Sequence, residues 1–263
     1  MGIKLYSGSG SGNLKLAGSG ALSANMSTLQ KGLVGHWALD SIHGAKDLTP
    51  NSNNGTGAGG IVIGGATDRH GQVGKATLFD GADDYVPLGD ILEDTFTGAN
   101  KKFSISAWIN QTTTSASTKI ILSKLGDSIS GGNQRQYSLF VYNGKLYFTY
   151  YGDLLGNSIR QFQADTTTIT AGQWYNISMT YDGTLTYNSR VTISINGVNQ
   201  TLSISYTAGN PTSIPDGTAP LTIGAARNTS TAYVFNGFLS DVRIYNRILS
   251  QAEITMLYEG YYV

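Results

Sequence analysis

The chain has 263 residues, with 17 basic and 17 acidic side chains, 34 glycines and no cysteine. A balanced charge without a Lys/Arg cluster leaves no electrostatic footprint for nucleic acid, and the lack of thiols excludes disulfides and thiolate metal sites. No run approaches the ~18 apolar residues of a transmembrane helix, so no membrane partner is expected.

Residues 1–30 open the chain with six Gly and six Ser, and Lys4 and Lys15 are their only charged side chains. They contain no apolar stretch and cleavage site of the secretory kind. Ile3, Leu5, Leu14, Leu16 and Leu22 recur partly at strand spacing, which a plain Gly/Ser linker lacks. The segment reads either as a tail or as an extended N-terminal arm that pairs with a neighbouring subunit's sheet edge. The second reading is the expectation here. Residues 31–263 are expected to form one β-domain, since all-β sandwiches often reach ~200–250 residues as a single unit.

Strand-like segments and turns follow in order. They are Gly32-Leu-Val-Gly-His-Trp-Ala-Leu-Asp40, the loop Asn51-Ser-Asn-Asn-Gly-Thr56, Gly74–Val86, Phe103–Ile109, Ala171–Gly183 and Val191–Val198. The five prolines all fall between such runs, where a missing N–H does no harm. In Phe103–Ile109, alternation sends Phe103, Ile105, Ala107 and Ile109 inward and leaves Trp108 on the Ser104/Ser106 face. In Leu146–Tyr151, Tyr147 and Tyr151 oppose Leu146 and Phe148 and so face outward. Near the end, Phe238, Ser240, Val242 and Ile244 are expected on one face of a strand, with Leu239, Asp241, Arg243 and Tyr245 on the other. Ser250-Gln-Ala-Glu253 then fits a capping box. Ile254, Leu257 and Tyr258 supply an apolar stripe, and Gly260 a stop.

Taken together from about Gly32 to Gly260, these segments resemble the laminin-G-like, pentraxin-like jelly rolls of the concanavalin A-like lectin/glucanase superfamily. The resemblance implies an all-β fold, a two-sheet antiparallel jelly-roll sandwich closed by a short C-terminal helix. It also implies a structural calcium where the loop after the first strand meets the strand before that helix. Carried over by position, Asp241 is the matching carboxylate, with Asp40, Asn51 and Asn53 beside it. The family's acidic loop start is replaced here by Thr49-Pro-Asn-Ser52, which lowers the negative charge available to a hard cation. Asp241 therefore either ligates calcium or pairs with Arg243.

Carbohydrate binding is the activity that the resemblance implies next. Trp108, Tyr147 and Tyr151 are candidate stacking platforms, and Asn228 and Tyr233, in the loop before the final strand, are alternative contacts. Against them stands the general preference of strands for tyrosine, which makes most such residues structural. Six Asn-x-Ser/Thr sequons are what a chain rich in Asn, Ser and Thr generates by chance.

Catalysis is not expected. Glycosidases need two carboxyl groups across the scissile bond, yet the only glutamates are Glu93, Glu253 and Glu259. Asp83 and Asp84 adjoin, and on a strand they would point to opposite faces. The three histidines come without a nucleophile elbow or a metalloprotease motif. Two functions fit what remains. The first is a bacteriophage virion component (head decoration, fibre or tail protein), made in the host cytoplasm, assembling through residues 1–30 and displaying the jelly roll. The second is an extracellular glycan-binding module of a bacterial enzyme or adhesin.

Overall fold

The computed structural model describes residues 28–126, 134–226 and 233–260. The arm proper, residues 1–27, lies outside them, as does Asn228.

The elements in chain order are β1 (Leu33–Trp37), β2 (Ala66–Thr67), β3 (Val73–Asp80), β4 (Val86–Gly89), α1 (Glu93–Phe96), β5 (Lys102–Gln111), β6 (Lys119–Gly126), β7 (Gln134–Tyr142) and β8 (Lys145–Tyr151). There follow β9 (Ile159–Ala164), β10 (Tyr175–Asp182), β11 (Val191–Ile195), β12 (Val198–Asn199), β13 (Leu202–Ala208), β14 (Leu221–Ile223), β15 (Asn236–Tyr245) and α2 (Gln251–Glu259). They build two antiparallel sheets. The first runs β12-β11-β10-β5-β15-β3-β2, with β1 also paired to β15, and the second runs β13-β9-β8-β7-β6-β14-β4. This is the two-sheet jelly-roll sandwich with a short C-terminal helix. Among the described residues no helix is long and apolar enough to cross a membrane.

Sequence chemistry sets the pairing. Asn143-Gly144 turns β7 into β8 with both residues at positive φ (48° and 70°), the conformation of a tight hairpin whose twist matches its strands. The inner faces meet as period-2 patterning requires: Phe103, Ile105, Ala107 and Ile109 of β5 are wholly buried and share one core with Leu146 and Phe148 of β8. Aromatic contacts cross the sandwich, Phe103 lying 6.4 Å from Phe148 and Tyr150 5.2 Å from Tyr181.

Strict alternation fails in β15. The pairing with β5 slips between Ser240 and Arg243, so two residues there oppose one on the partner. Asp241 takes up the slip in the left-handed region, at φ 55°. Leu239, rather than Phe238 and Ser240, therefore joins Val242 and Ile244 in the core, while Ser240, Arg243 and Tyr245 belong to the outer face.

That outer face carries α2. Ser250 Oγ accepts from the Glu253 N–H, the Glu253 carboxylate accepts from the Ser250 N–H at 2.9 Å, and Gly260 ends the helix at φ 84°. Ile254 and Leu257 bury against Tyr245, Leu249 and Leu29. Leu29 is fully buried, so the packed unit begins before residue 31. Arg247 fixes this junction, bridging Glu253 on one side and the Lys31 and Thr28 carbonyls at 2.6 and 2.7 Å on the other.

Candidate functional site: the outer face of the second sheet

The outward residues of the second sheet form rows across neighbouring strands. Ile120, Phe140, Tyr147 and Gln163 make one, and Ser123, Ser138, Thr149 and Gln161 the next. Phe140 stacks on Tyr147 at 5.1 Å, and with Ile120 and Ala226 they form an apolar cluster separate from the core. Over this floor lies a cavity of about 300 Å³. Its lining joins Phe140 and Tyr151 to Ser138, Thr149, Gln161, Arg135 and Tyr233.

Arg135 reaches the cavity through a backbone irregularity. Counting outward residues back along β7 from Phe140 and Ser138 puts Gln136 outward and Arg135 in the core. The pairing with β6 slips there, Lys124 facing Tyr137 and Leu125 facing Arg135, so Gln136 is the extra residue of a bulge. Gln136 turns inward and donates to the Pro215 carbonyl at 2.9 Å. Arg135 emerges beside Leu125, its guanidinium 6.0 Å from the Tyr151 ring centre. No signal in the sequence marked this residue, because a bulge is invisible to period-2 counting.

Behind the bulge lies a buried charge cluster. The Lys124 ammonium, wholly buried, meets Asp90 at 2.6 Å and also pairs with Glu93. Burial pushes the Glu93 carboxyl up to about 7 against the pull of Lys124, while hydrogen bonds and attraction from Lys124 hold Asp90 below its ordinary value in spite of burial.

Tyr151 and Tyr233 line the cavity. Tyr147 faces outward but is only 8% exposed, packed on Phe140 and bonded through its hydroxyl to Gln163, so it belongs to the floor. Trp108 is not a platform: Tyr258 of α2 stacks on it at 6.1 Å and Arg69 lies 4.1 Å over its ring, leaving it 6% exposed. Asn228 falls outside the described residues.

Of the four residues expected around a calcium, the two carboxylates are paired with basic side chains. Asp241 accepts from His36 Nε2 at 2.8 Å and from Arg243 Nε at 2.8 Å. Burial disfavours its ionisation, yet Arg243, His36 and Arg69 outweigh that and hold its carboxyl far below the usual range. Asp40 accepts from Lys75 at 2.7 Å and His43 at 2.9 Å. Asn51 donates to the Val34 carbonyl, and Asn53 donates its N–H to Asp47. A cation here would compete with Lys75, His43, His36 and Arg243 for the Asp40 and Asp241 carboxylates. Asp47 organises the loop instead, accepting from the His36, Thr49 and Asn53 amides at 3.0 Å each. Asp83 and Asp84 lie in a turn, not on a strand, and with Asp80 place carboxylate oxygens within 4.8 Å of one another. These oxygens accept the amides of Ala82 and Asp80 in the turn itself.

A model of the concanavalin A-like lectin/glucanases superfamily matches residues 80–255. The chain belongs to this superfamily. No curated protein matches it significantly. Among solved structures, the jelly roll is similar to domain 4 of AbnA, a GH43 extracellular arabinanase from Geobacillus stearothermophilus, in complex with arabinotriose. That match has 20% identity and a TM-score of 0.58, covering 86% of this chain and 97% of that one. The binding domain of Paraclostridial Mosquitocidal Protein 1 matches at 19% identity and TM-score 0.63, over 88% of this chain and 52% of that one. A botulinum neurotoxin type C structure, whose cell entry depends upon two ganglioside molecules, matches at 15% identity and TM-score 0.62, over 92% and 53%. The chain thus spans about half the length of the toxin chains, and at these identities the likeness is one of fold.

Proposed function

We propose that the chain is a non-catalytic, glycan-binding jelly-roll module that takes a saccharide in the cavity over the second sheet. The observation that carries this reading is the lining. Tyr151 and Tyr233 offer flat apolar faces beside Ser138, Thr149, Gln161 and Arg135, which suits a sugar ring with its C–H face and its hydroxyl edge. A volume near 300 Å³ is at the small end for ligand sites and fits a chain terminus. Among the described residues the lining contains no carboxyl group, whereas glycoside hydrolysis uses two. Arabinotriose in the AbnA domain and ganglioside dependence of the neurotoxin give the reading support from the same fold.

The test is a glycan array followed by calorimetry on the full chain, with Tyr151→Ala and Tyr233→Ala beside it. Wild type binds a defined saccharide class and each variant weakens it about tenfold or more, in line with loss of one aromatic stacking contact. Absence of any saccharide binding, or binding that both variants leave unchanged, overturns the assignment.

A second reading, a virion component that displays this module, draws on the sheet edge. β13 is an edge strand with Ile204 and Tyr206 41% and 56% exposed, an unpaired template for the arm of another copy. Light scattering of the full chain beside a Thr28–Val263 truncation decides it. Assembly lost on truncation supports the arm, and identical monomers remove this reading.

A further inference from the structure

We propose that the cavity selects a saccharide bearing an anionic substituent, a carboxylate or a sulfate ester, and that Arg135 receives it. This rests on the glycan-binding reading above and adds the chemical class of the ligand.

Among the described residues, Arg135 is the one charged side chain in the cavity lining. Its guanidinium has no hydrogen-bond or ion-pair partner among the described residues, and this sets it apart from the other described arginines. Arg160 is bonded to Asn188 and Asn210, Arg190 to the Leu185 and Pro211 carbonyls, Arg243 to Asp241, and Arg247 to Glu253. Arg69 lies against Trp108. Five of the six described arginines are thus engaged in structural contacts, whereas Arg135 lies over Tyr151 at the cavity without a hydrogen-bond or ion-pair partner among the described residues.

Two backbone features lie beside it. The bulge at Gln136 redirects Arg135 from the core side to the cavity side, a use of bulges common near binding sites. Gly156, at φ 83°, lies beside the guanidinium: a Cβ there would stand 2.7 Å from Arg135 Nη1, a contact that the flexible end of the arginine relieves by shifting. A guanidinium carries a rigid fork of donors that matches two oxygens of a carboxylate or sulfate at once. With no carboxylate among the described lining residues to neutralise it, Arg135 favours an anion over a neutral ring.

The experiment titrates the full chain with matched pairs: sialyllactose against lactose, trigalacturonate against its methyl ester, and galactose sulfate against galactose. In at least one pair the acidic member binds about tenfold tighter or more, as a charge-assisted contact would give. That preference shrinks as NaCl is raised. Arg135→Gln abolishes the preference, weakening the acidic member of the pair more than the neutral one, and Arg135→Lys restores part of it. The pair that responds separates carboxylate from sulfate. Circular dichroism melting of each variant confirms folding, which Arg135 does not support through any side-chain bond. Equal affinity within every pair, or equal weakening of acidic and neutral members by Arg135→Gln, overturns this inference and leaves the glycan reading standing. Absence of all saccharide binding removes both.

Discussion

On the outer face of the first sheet, Trp108 is roofed by Tyr258 and Arg69; on the outer face of the second, Tyr151 and Tyr233 border an open cavity. Alternation sends Trp108 and Tyr151 outward for the same reason, so pointing outward does not by itself make a site. What differs is the cover. The first face receives α2, anchored by Ile254 and Leu257, and its polar groups are consumed by Asp241, Arg243 and His36. The second keeps a groove and Arg135, which has no hydrogen-bond or ion-pair partner among the described residues.

The sharpest way to break the closed face is through its ion pair. Asp241→Asn leaves Arg243, 1% exposed, without its countercharge and is expected to cost about 3–5 kcal/mol in urea unfolding. A loss below ~1 kcal/mol would show that backbone pairing alone holds the β15 bulge. Leu257→Ala removes a buried anchor of α2 and should cost about 2–4 kcal/mol. It should also loosen the roof on Trp108 and red-shift its emission, while glycan affinity at the opposite face is unchanged. Parallel loss of affinity would mean that the two faces are coupled.

A smaller effect probes the floor beneath the cavity. The folded Glu93 carboxyl titrates near 7 against an ordinary value of 4.5, so the folded chain holds that proton more tightly than the unfolded one. Its contribution is complete below about pH 4.5 and is lost as pH rises through about 7, a fall of roughly 1–3 kcal/mol. Glu93→Gln should flatten that segment of the stability profile. A profile identical to wild type would place the titration on another group.

The inner face of β5, the outward side of β8 and the capping box at Ser250 were legible because each rests on local chemistry: alternation and helix-end hydrogen bonding. Both failures of facing have one cause. A bulge adds a residue to one strand, reverses every side chain beyond it, and leaves no mark in composition, which is why the inward set of β15 and the placement of Arg135 were both missed. Tyr151 and Tyr233 were identified as candidates from residue type and position. Trp108 was misread because its cover comes from a helix 150 residues downstream. Asp47 went unnoticed because a carboxylate serving backbone amides looks, in sequence, like any other loop aspartate.

The Arg247 clamp has a consequence for how the module is mounted. It pins the chain at Thr28 and Lys31 against α2, on the side of the sandwich remote from the cavity. The described chain therefore begins on the face of the sandwich opposite the cavity. In this respect the domain is built like a signpost, with its first described residues behind and the cavity in front.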